Sequence, residues 1–233
     1  MTRKALIIGA GRIGAGWGWK DLSYTHAGAY RAHKDRVELI AFVEPNAERA
    51  DQAERMWGVT AYETLEEALT SWKPSIVSVC TQPEDQINVM SRLEIDPNVE
   101  GVWCEKPYMG FPSKKPVQVN YMRRADPGHQ FWKERVWRDR LGDTRNYPER
   151  LIVYGKDDLT TRCHFYDLAK WWGCVLEYRP FNGPCAYILE TSDGKARFFD
   201  NGGVDGGFCF QGMLKNLLDH LDNDTPLWSP AHE

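Results

Sequence analysis

Short apolar runs separated by polar, helix-compatible stretches organise the first half of the chain. Lys4-Ala5-Leu6-Ile7-Ile8 stops at a glycine cluster, Gly9-Ala10-Gly11-Arg12-Ile13-Gly14, which predicts a buried strand entering a tight turn. A Gly- and Trp-rich stretch, Ala15 to Tyr24, delays the next helix to about Thr25, from which it runs through His33. Val37–Val43 reads as a second strand, closed by Glu44-Pro45-Asn46. Asn46 caps a helix over Ala47–Trp57, because a short polar side chain there satisfies a free amide. Thr64-Leu65-Glu66-Glu67 fits a capping box, so a helix covers about Leu65 to Trp72 and Pro74 ends it. A strand at Ile76–Val79, a helix from about Glu84 to Leu93, an Asp96-Pro97-Asn98 turn and a strand at Gly101–Cys104 follow. This alternation predicts an α/β fold built on a doubly wound parallel sheet.

After Pro107 the pattern changes. Phe111–Pro116 is a Pro/Lys-rich connector, and beyond it strand-like segments (Leu151–Tyr154, Cys185–Glu190, Lys195–Phe199) cluster around a helix, His164–Trp172. A closing helix lies near Met213–Leu221. The boundary is placed near residue 118, giving a first domain over 1–118 and a small, reduced α+β domain over 119–233.

Composition agrees with a globular chain and narrows the partners. Of 233 residues, 42% are hydrophobic and 27% charged, near globular averages, and no apolar run approaches the length of a membrane span. The formal charge of −4 with no dense basic run argues against nucleic acid. Met-Thr-Arg-Lys runs straight into a strand pattern, so the start reads as leaderless and the protein as cytoplasmic. Cys80, Cys104, Cys163, Cys174, Cys185 and Cys209 include no C-x-x-C pair, so they read as reduced thiols and no metal site is expected. The ten tryptophans, unusual for this length, read as core or interface.

The glycine cluster carries the chemistry. Gly9-x-Gly11-x-x-Gly14 follows a strand and precedes a helix, where glycines permit the turn, the approach of a pyrophosphate and close helix packing. This is the dinucleotide fingerprint of a Rossmann domain. Glu44, at the end of the second strand, can accept from the adenosine ribose hydroxyls, and the Gly/Trp insertion accounts for its distance of about 30 residues from Gly14 where about 20 is usual. A carboxylate there repels a 2′-phosphate, so NAD is favoured; NADP stays open because Arg49 and Arg12 can offset the charge.

At Cys104-Glu105-Lys106-Pro107 the chain resembles the Glu-Lys-Pro signature of the Gfo/Idh/MocA oxidoreductases, which follows the fifth strand in that family too. The resemblance implies that Lys106 approaches the nicotinamide and the substrate hydroxyl, with Glu105 beside the cofactor. Thr81-Gln82-Pro83 is similar to the family's turn at the nicotinamide ribose, and Thr25–Tyr30 to its first helix. Val119-Asn120-Tyr121-Met122-Arg123-Arg124 resembles the segment opening its second domain, in the wording of members found with surface-polysaccharide genes. It offers Tyr121, Arg123 and Arg124 as substrate contacts. Cys163-His164-Phe165-Tyr166-Asp167 resembles the helix that carries the family's histidine. His164 is thereby implied as acid/base on the sugar hydroxyl, a role suited to a group titrating near neutrality, while Asp167 would orient it, contact substrate or face solvent. The implied function is hydride transfer, dependent on NAD(P), at a hydroxyl carbon of a sugar or nucleotide-sugar.

Two departures stand against this. Thr160 and Arg162 occupy the places of the family's acid and glycine before the histidine, and Asp157 and Asp158 are out of register. A redox-silent NAD-binding sensor or assembly protein, or a reductase of a non-sugar substrate, therefore remain alternatives. The chain is also short for the family and leaves no room after Pro107 for a helix over the sheet. Either a partner subunit covers this uncovered apolar face or the tryptophans fold across it, and a homo-oligomer, by default a dimer, is expected.

Overall fold

The computed structural model describes residues 2–140, 148–155, 159–180, 186–191, 196–200 and 206–231. In order, the elements of the first half are β1 (Arg3–Ile8), α1 (Arg12–Ala15), α2 (His26–Ala32), β2 (Val37–Val43), α3 (Ala47–Trp57), β3 (Thr60–Tyr62), α4 (Leu65–Trp72), β4 (Ile76–Val79), α5 (Pro83–Glu94), β5 (Gly101–Cys104) and β6 (Val117–Val119). There follow α6 (Pro127–Arg140), β7 (Pro148–Gly155), α7 (Leu159–Trp172), β8 (Val175–Pro180), β9 (Ala186–Thr191), β10 (Ala196–Asp200) and α8 (Gly206–Asn223). No helix among the described residues is long and apolar enough to cross a membrane.

The local signals act as expected. Thr25, Asn46 and Thr64 cap α2, α3 and α4, each side chain accepting from the amide three residues on. β1, β2, β4 and β5 are almost wholly buried, which is why they read as continuous apolar runs rather than alternating ones. The sequence pattern missed β3 and β6, which are three residues each and get their definition from their neighbours. It also missed α6 and β8.

Two units form, and each is taken by itself. The first comprises Met1–Met122 and Gly206–Glu233. Its sheet is parallel throughout, in the order β3-β2-β1-β4-β5-β6. One face packs Leu6, Ile8, Val77, Val79, Met90 and Leu93 into a core with Tyr108 and Phe111 laid against it. The other face carries α2 and α8.

The expected second domain ran on to residue 233, whereas residues 206–233 pack with the first unit. The reason is the apolar stripe of α8: Phe210, Met213, Leu214, Leu217 and Leu218 are buried, and the ends of Leu217 and Leu221 lie 3.2 to 3.4 Å from where a Cβ on Gly101 would sit. Arg36 fixes the helix through Asp219 (2.8 Å) and Asp222 (2.6 Å). Past α8 the chain closes the edge of β6, with Val119 N–H donating to Ser229 O at 2.8 Å and Ala231 N–H to Val117 O at 3.2 Å. The sheet that the sequence left bare after Pro107 is thus covered by Tyr108 and Phe111 on one face and α8 on the other. The ground given for an oligomer is met within the chain.

The second unit, Arg123–Asp205, holds a mixed sheet in the order β10-β9-β7-β8, parallel only between β7 and β8. Leu151 and Val153 of β7 and Tyr187 and Leu189 of β9, alternate residues on each strand, pack with Phe165, Leu168 and Trp172 of α7. Here Arg124 and Asp167 are buried against each other: Nε and Nη2 donate to the two carboxylate oxygens at 2.9 and 2.6 Å. Arg123 lies over Phe165, 4.7 Å from guanidinium carbon to ring centre. These three residues, expected as substrate contacts, are packing groups of this unit. Asp167→Asn keeps the size and an acceptor but removes the charge facing the guanidinium. It should lower the unfolding free energy by about 2 kcal/mol, read by denaturant titration.

Candidate active site

Because the strands are parallel and in register, the residue after each strand joins one row. Ile8 pairs with Val43 and Val79, Val79 with Cys104, and Cys104 with Val119. The residues that follow are Glu44, Gly9, Cys80, Glu105 and Asn120, stitched by Gly9 N–H to Val43 O (2.8 Å), Cys80 N–H to Ile8 O (2.8 Å), Glu105 N–H to Val79 O (2.9 Å) and Asn120 N–H to Cys104 O (2.8 Å). This is the carboxyl edge of the sheet. Strand order reverses between β1 and β4, the place where open α/β sheets leave a crevice for ligands.

The three glycines differ in what surrounds them. Gly9 has φ +96°, and a Cβ on it would meet Cys80 O at 2.8 Å. A Cβ on Gly14 would meet Gly9 O at 2.0 Å, so α1 starts in contact with the turn. A Cβ on Gly11 would meet nothing within 4 Å. Open space at the middle glycine is what a closely approaching pyrophosphate requires. Arg12 is exposed, its guanidinium 5.9 Å from the Trp19 ring centre, and Ile13 is half-buried.

Glu44 is buried and already engaged. Its Oε2 accepts from Ala10 N–H at 2.9 Å and its Oε1 from Asn46 N–H at 3.0 Å, tying the glycine turn to the end of β2. Each oxygen keeps a further lone pair for a ribose hydroxyl. Arg49 is exposed on α3. Beyond β4, Gln82 precedes α5 and Pro83 is its first residue, while Thr81 Oγ1 is buried without a hydrogen-bond partner among the described residues. A buried hydroxyl left unsatisfied costs about 1–3 kcal/mol, and a ribose or carboxamide of a bound dinucleotide would satisfy it. Open Gly11 and orphaned Thr81 fit a dinucleotide.

Past β5 the main chain turns through a cis Lys106–Pro107 bond. Gln86 of α5 clamps the turn: its Nε2 donates to Glu105 O at 3.0 Å and its Oε1 accepts from Met109 N–H at 2.8 Å. The Glu105 side chain, expected beside the cofactor, is buried and faces inward, its Oε1 accepting from His26 Nε2 (3.1 Å) and from Asn120 Nδ2. Lys106 is half-buried, and its ammonium has no hydrogen-bond or ion-pair partner among the described residues. Tyr121 follows Asn120 and is half-buried.

His164 sits in α7 of the second unit, half-buried. Thr160 and Arg162 belong to the first turns of the same helix, and Asp157 and Asp158 fall outside the described residues. Sequence reasoning assigned no role to His26, Gln86 or Asn120. Their partners lie 79, 19 and 15 residues away, and no local spacing announces such contacts. Among the described residues no group of His, Cys, Asp and Glu could hold a metal ion.

Comparison with known proteins places this geometry. Residues 3–113 match the family model GFO_IDH_MocA, described as an oxidoreductase family with an NAD-binding Rossmann fold. No curated protein sequence matches the chain. Solved structures share the fold at low identity. A myo-inositol dehydrogenase from Corynebacterium glutamicum is 13% identical with TM-score 0.74, covering 100% of this chain and 92% of that one. The WlbA dehydrogenase from Bordetella pertussis, solved with NADH and UDP-GlcNAcA, is 15% identical with TM-score 0.67 over the same shares, 100% and 92%. GenD2 from gentamicin A biosynthesis, solved with NAD, is 12% identical with TM-score 0.75 over 99% of this chain and 89% of that one. Residues 3–113, which carry the glycine turn and the Glu-Lys-Pro strand end, thus match the Gfo/Idh/MocA oxidoreductase family with its NAD-binding Rossmann fold.

Proposed function

We propose that the chain is an NAD-dependent oxidoreductase acting at a hydroxyl carbon of a sugar or nucleotide-sugar. The observation that carries this reading is the row of strand ends, where an open Gly11, an orphaned Thr81 hydroxyl and an unpaired Lys106 share one edge. The substrate class is supported by the inositol dehydrogenase and by WlbA with its bound UDP-GlcNAcA. Gly9, Gly11 and Gly14 shape the bed for the pyrophosphate, Glu44 faces the adenosine ribose and Thr81 the second ribose. Bound NAD supplies the hydride acceptor or donor. Lys106 holds the substrate hydroxyl as a cationic donor, and the resemblance makes His164 the acid/base of the reaction. The wording from Asn120 to Arg124 supports a place in surface-polysaccharide biosynthesis.

Titration with NADH, followed by energy transfer from the tryptophans, tests the reading, and absence of binding at millimolar NADH rejects it. Glu44→Ala should weaken NAD by roughly 10-fold or more, since it removes acceptors with charge, and should weaken NADP less. Equal losses for the two cofactors would mean that Glu44 acts only by holding Ala10 and Asn46.

A further inference from the structure

We propose that His26 is a positioning residue for Lys106: through the Glu105 carboxylate, which it shares with Asn120, it fixes the turn from which Lys106 projects. The inference rests on the reading of Lys106 given above.

His26 is 0% exposed, stacked 3.7 Å from Trp103 with Phe210 at 5.6 Å edge-on. A polar ring among aromatics is costly unless both nitrogens are bonded, and here both are. Nδ1 lies 2.9 Å from Ser78 Oγ, and Ser78 Oγ lies 2.7 Å from Tyr30 Oη. Burial pulls the His26 pKa below its ordinary value against the upward pull of Glu105, which favours a neutral ring. The hydrogens then run one way: Tyr30 O–H donates to Ser78, Ser78 O–H to Nδ1, and Nε2–H to Glu105.

The chain ends on the residue before Lys106. Glu105 is held at its carboxylate by α2 and by the end of β6, at its amide by Val79, and at its carbonyl by Gln86. Among the described residues Lys106 has no partner of its own, so where its ammonium reaches depends on how firmly Glu105 is set. Packing alone does not need this arrangement, since an apolar side chain would suit the Trp103 and Phe210 rings at least as well.

The test compares His26→Leu with His26→Gln in the intact protein. Acetic anhydride labelling read by mass spectrometry gives the rate at Lys106 relative to exposed Lys114, and NADH titration reports binding. In His26→Leu the Lys106:Lys114 ratio should change several-fold while NADH binding is retained, and on any substrate found kcat should fall about 10- to 100-fold with KM little changed. His26→Gln, whose amide can replace the Nε2–H donor, should recover ratio and kcat together. An unchanged ratio in His26→Leu, or a Gln variant no better than Leu, overturns the proposal. If His26→Leu does not fold, Glu105→Leu, which removes the oxygen that accepts from both His26 and Asn120, replaces it: the same change in ratio supports the proposal and an unchanged ratio overturns it. Wild-type protein that fails to bind NADH would reject the proposed function, while the labelling ratio would still decide the role of His26.

Discussion

Gly14→Ala should destabilise the N-terminal unit by at least about 3 kcal/mol, whereas Gly11→Ala should leave stability unchanged or slightly raised and abolish NADH binding. At Gly14 the added methyl would sit 2.0 Å from the backbone oxygen of Gly9, and a backbone atom held by the β1–β2 ladder cannot step aside. At Gly11 the φ of −73° suits alanine and the methyl meets nothing within 4 Å, so folding has no reason to object. The same methyl would fill the space a pyrophosphate approaches. Denaturant unfolding and NADH titration on the two variants separate the roles. A Gly11→Ala protein that binds NADH like wild type would show that the turn does not hold the dinucleotide.

Lys106→Ala and His164→Ala should each bind NADH nearly normally and lose turnover by about 10²–10⁴-fold, on the order of 3–5 kcal/mol in barrier. The expectation for Lys106 comes from its place after β5, with an ammonium free of other partners among the described residues. For His164 it comes from a helix whose wording matches the family's histidine. Should wild type bind NADH yet turn over no sugar or nucleotide-sugar, the redox-silent reading prevails, and Thr160→Asp with Arg162→Gly becomes the deciding variant. Activity appearing only there would place the lost function at those two positions.

The site was half legible before the fold was known. Gly9, Gly11 and Gly14 announce themselves because turn, approach and close packing each demand a missing side chain at a set spacing. Lys106 is singled out by the Glu-Lys-Pro resemblance, and the fold sets it just past β5 at the carboxyl edge of the sheet. Arg123, Arg124 and Asp167, offered as substrate contacts by their charge, are buried by the fold, Arg124 against Asp167 and Arg123 over Phe165. Glu105 is buried in a similar way, its carboxylate turned to His26 and Asn120.

By itself the sequence determined β1, β2, β4 and β5, the helices capped by Thr25, Asn46 and Thr64, and the dinucleotide turn, because burial on both faces, capping and glycine conformation act within a few residues. Tertiary structure alone decided that α8 returns to the first sheet. Its apolar stripe states that it needs a partner, but only the flank of β5 beside α2 says which. It alone defined β3 and β6, since three residues acquire a strand's geometry from the ladder beside them. It also joined His26 to Glu105 across 79 residues, because a buried imidazole takes whichever carboxylate the packed strands bring within reach.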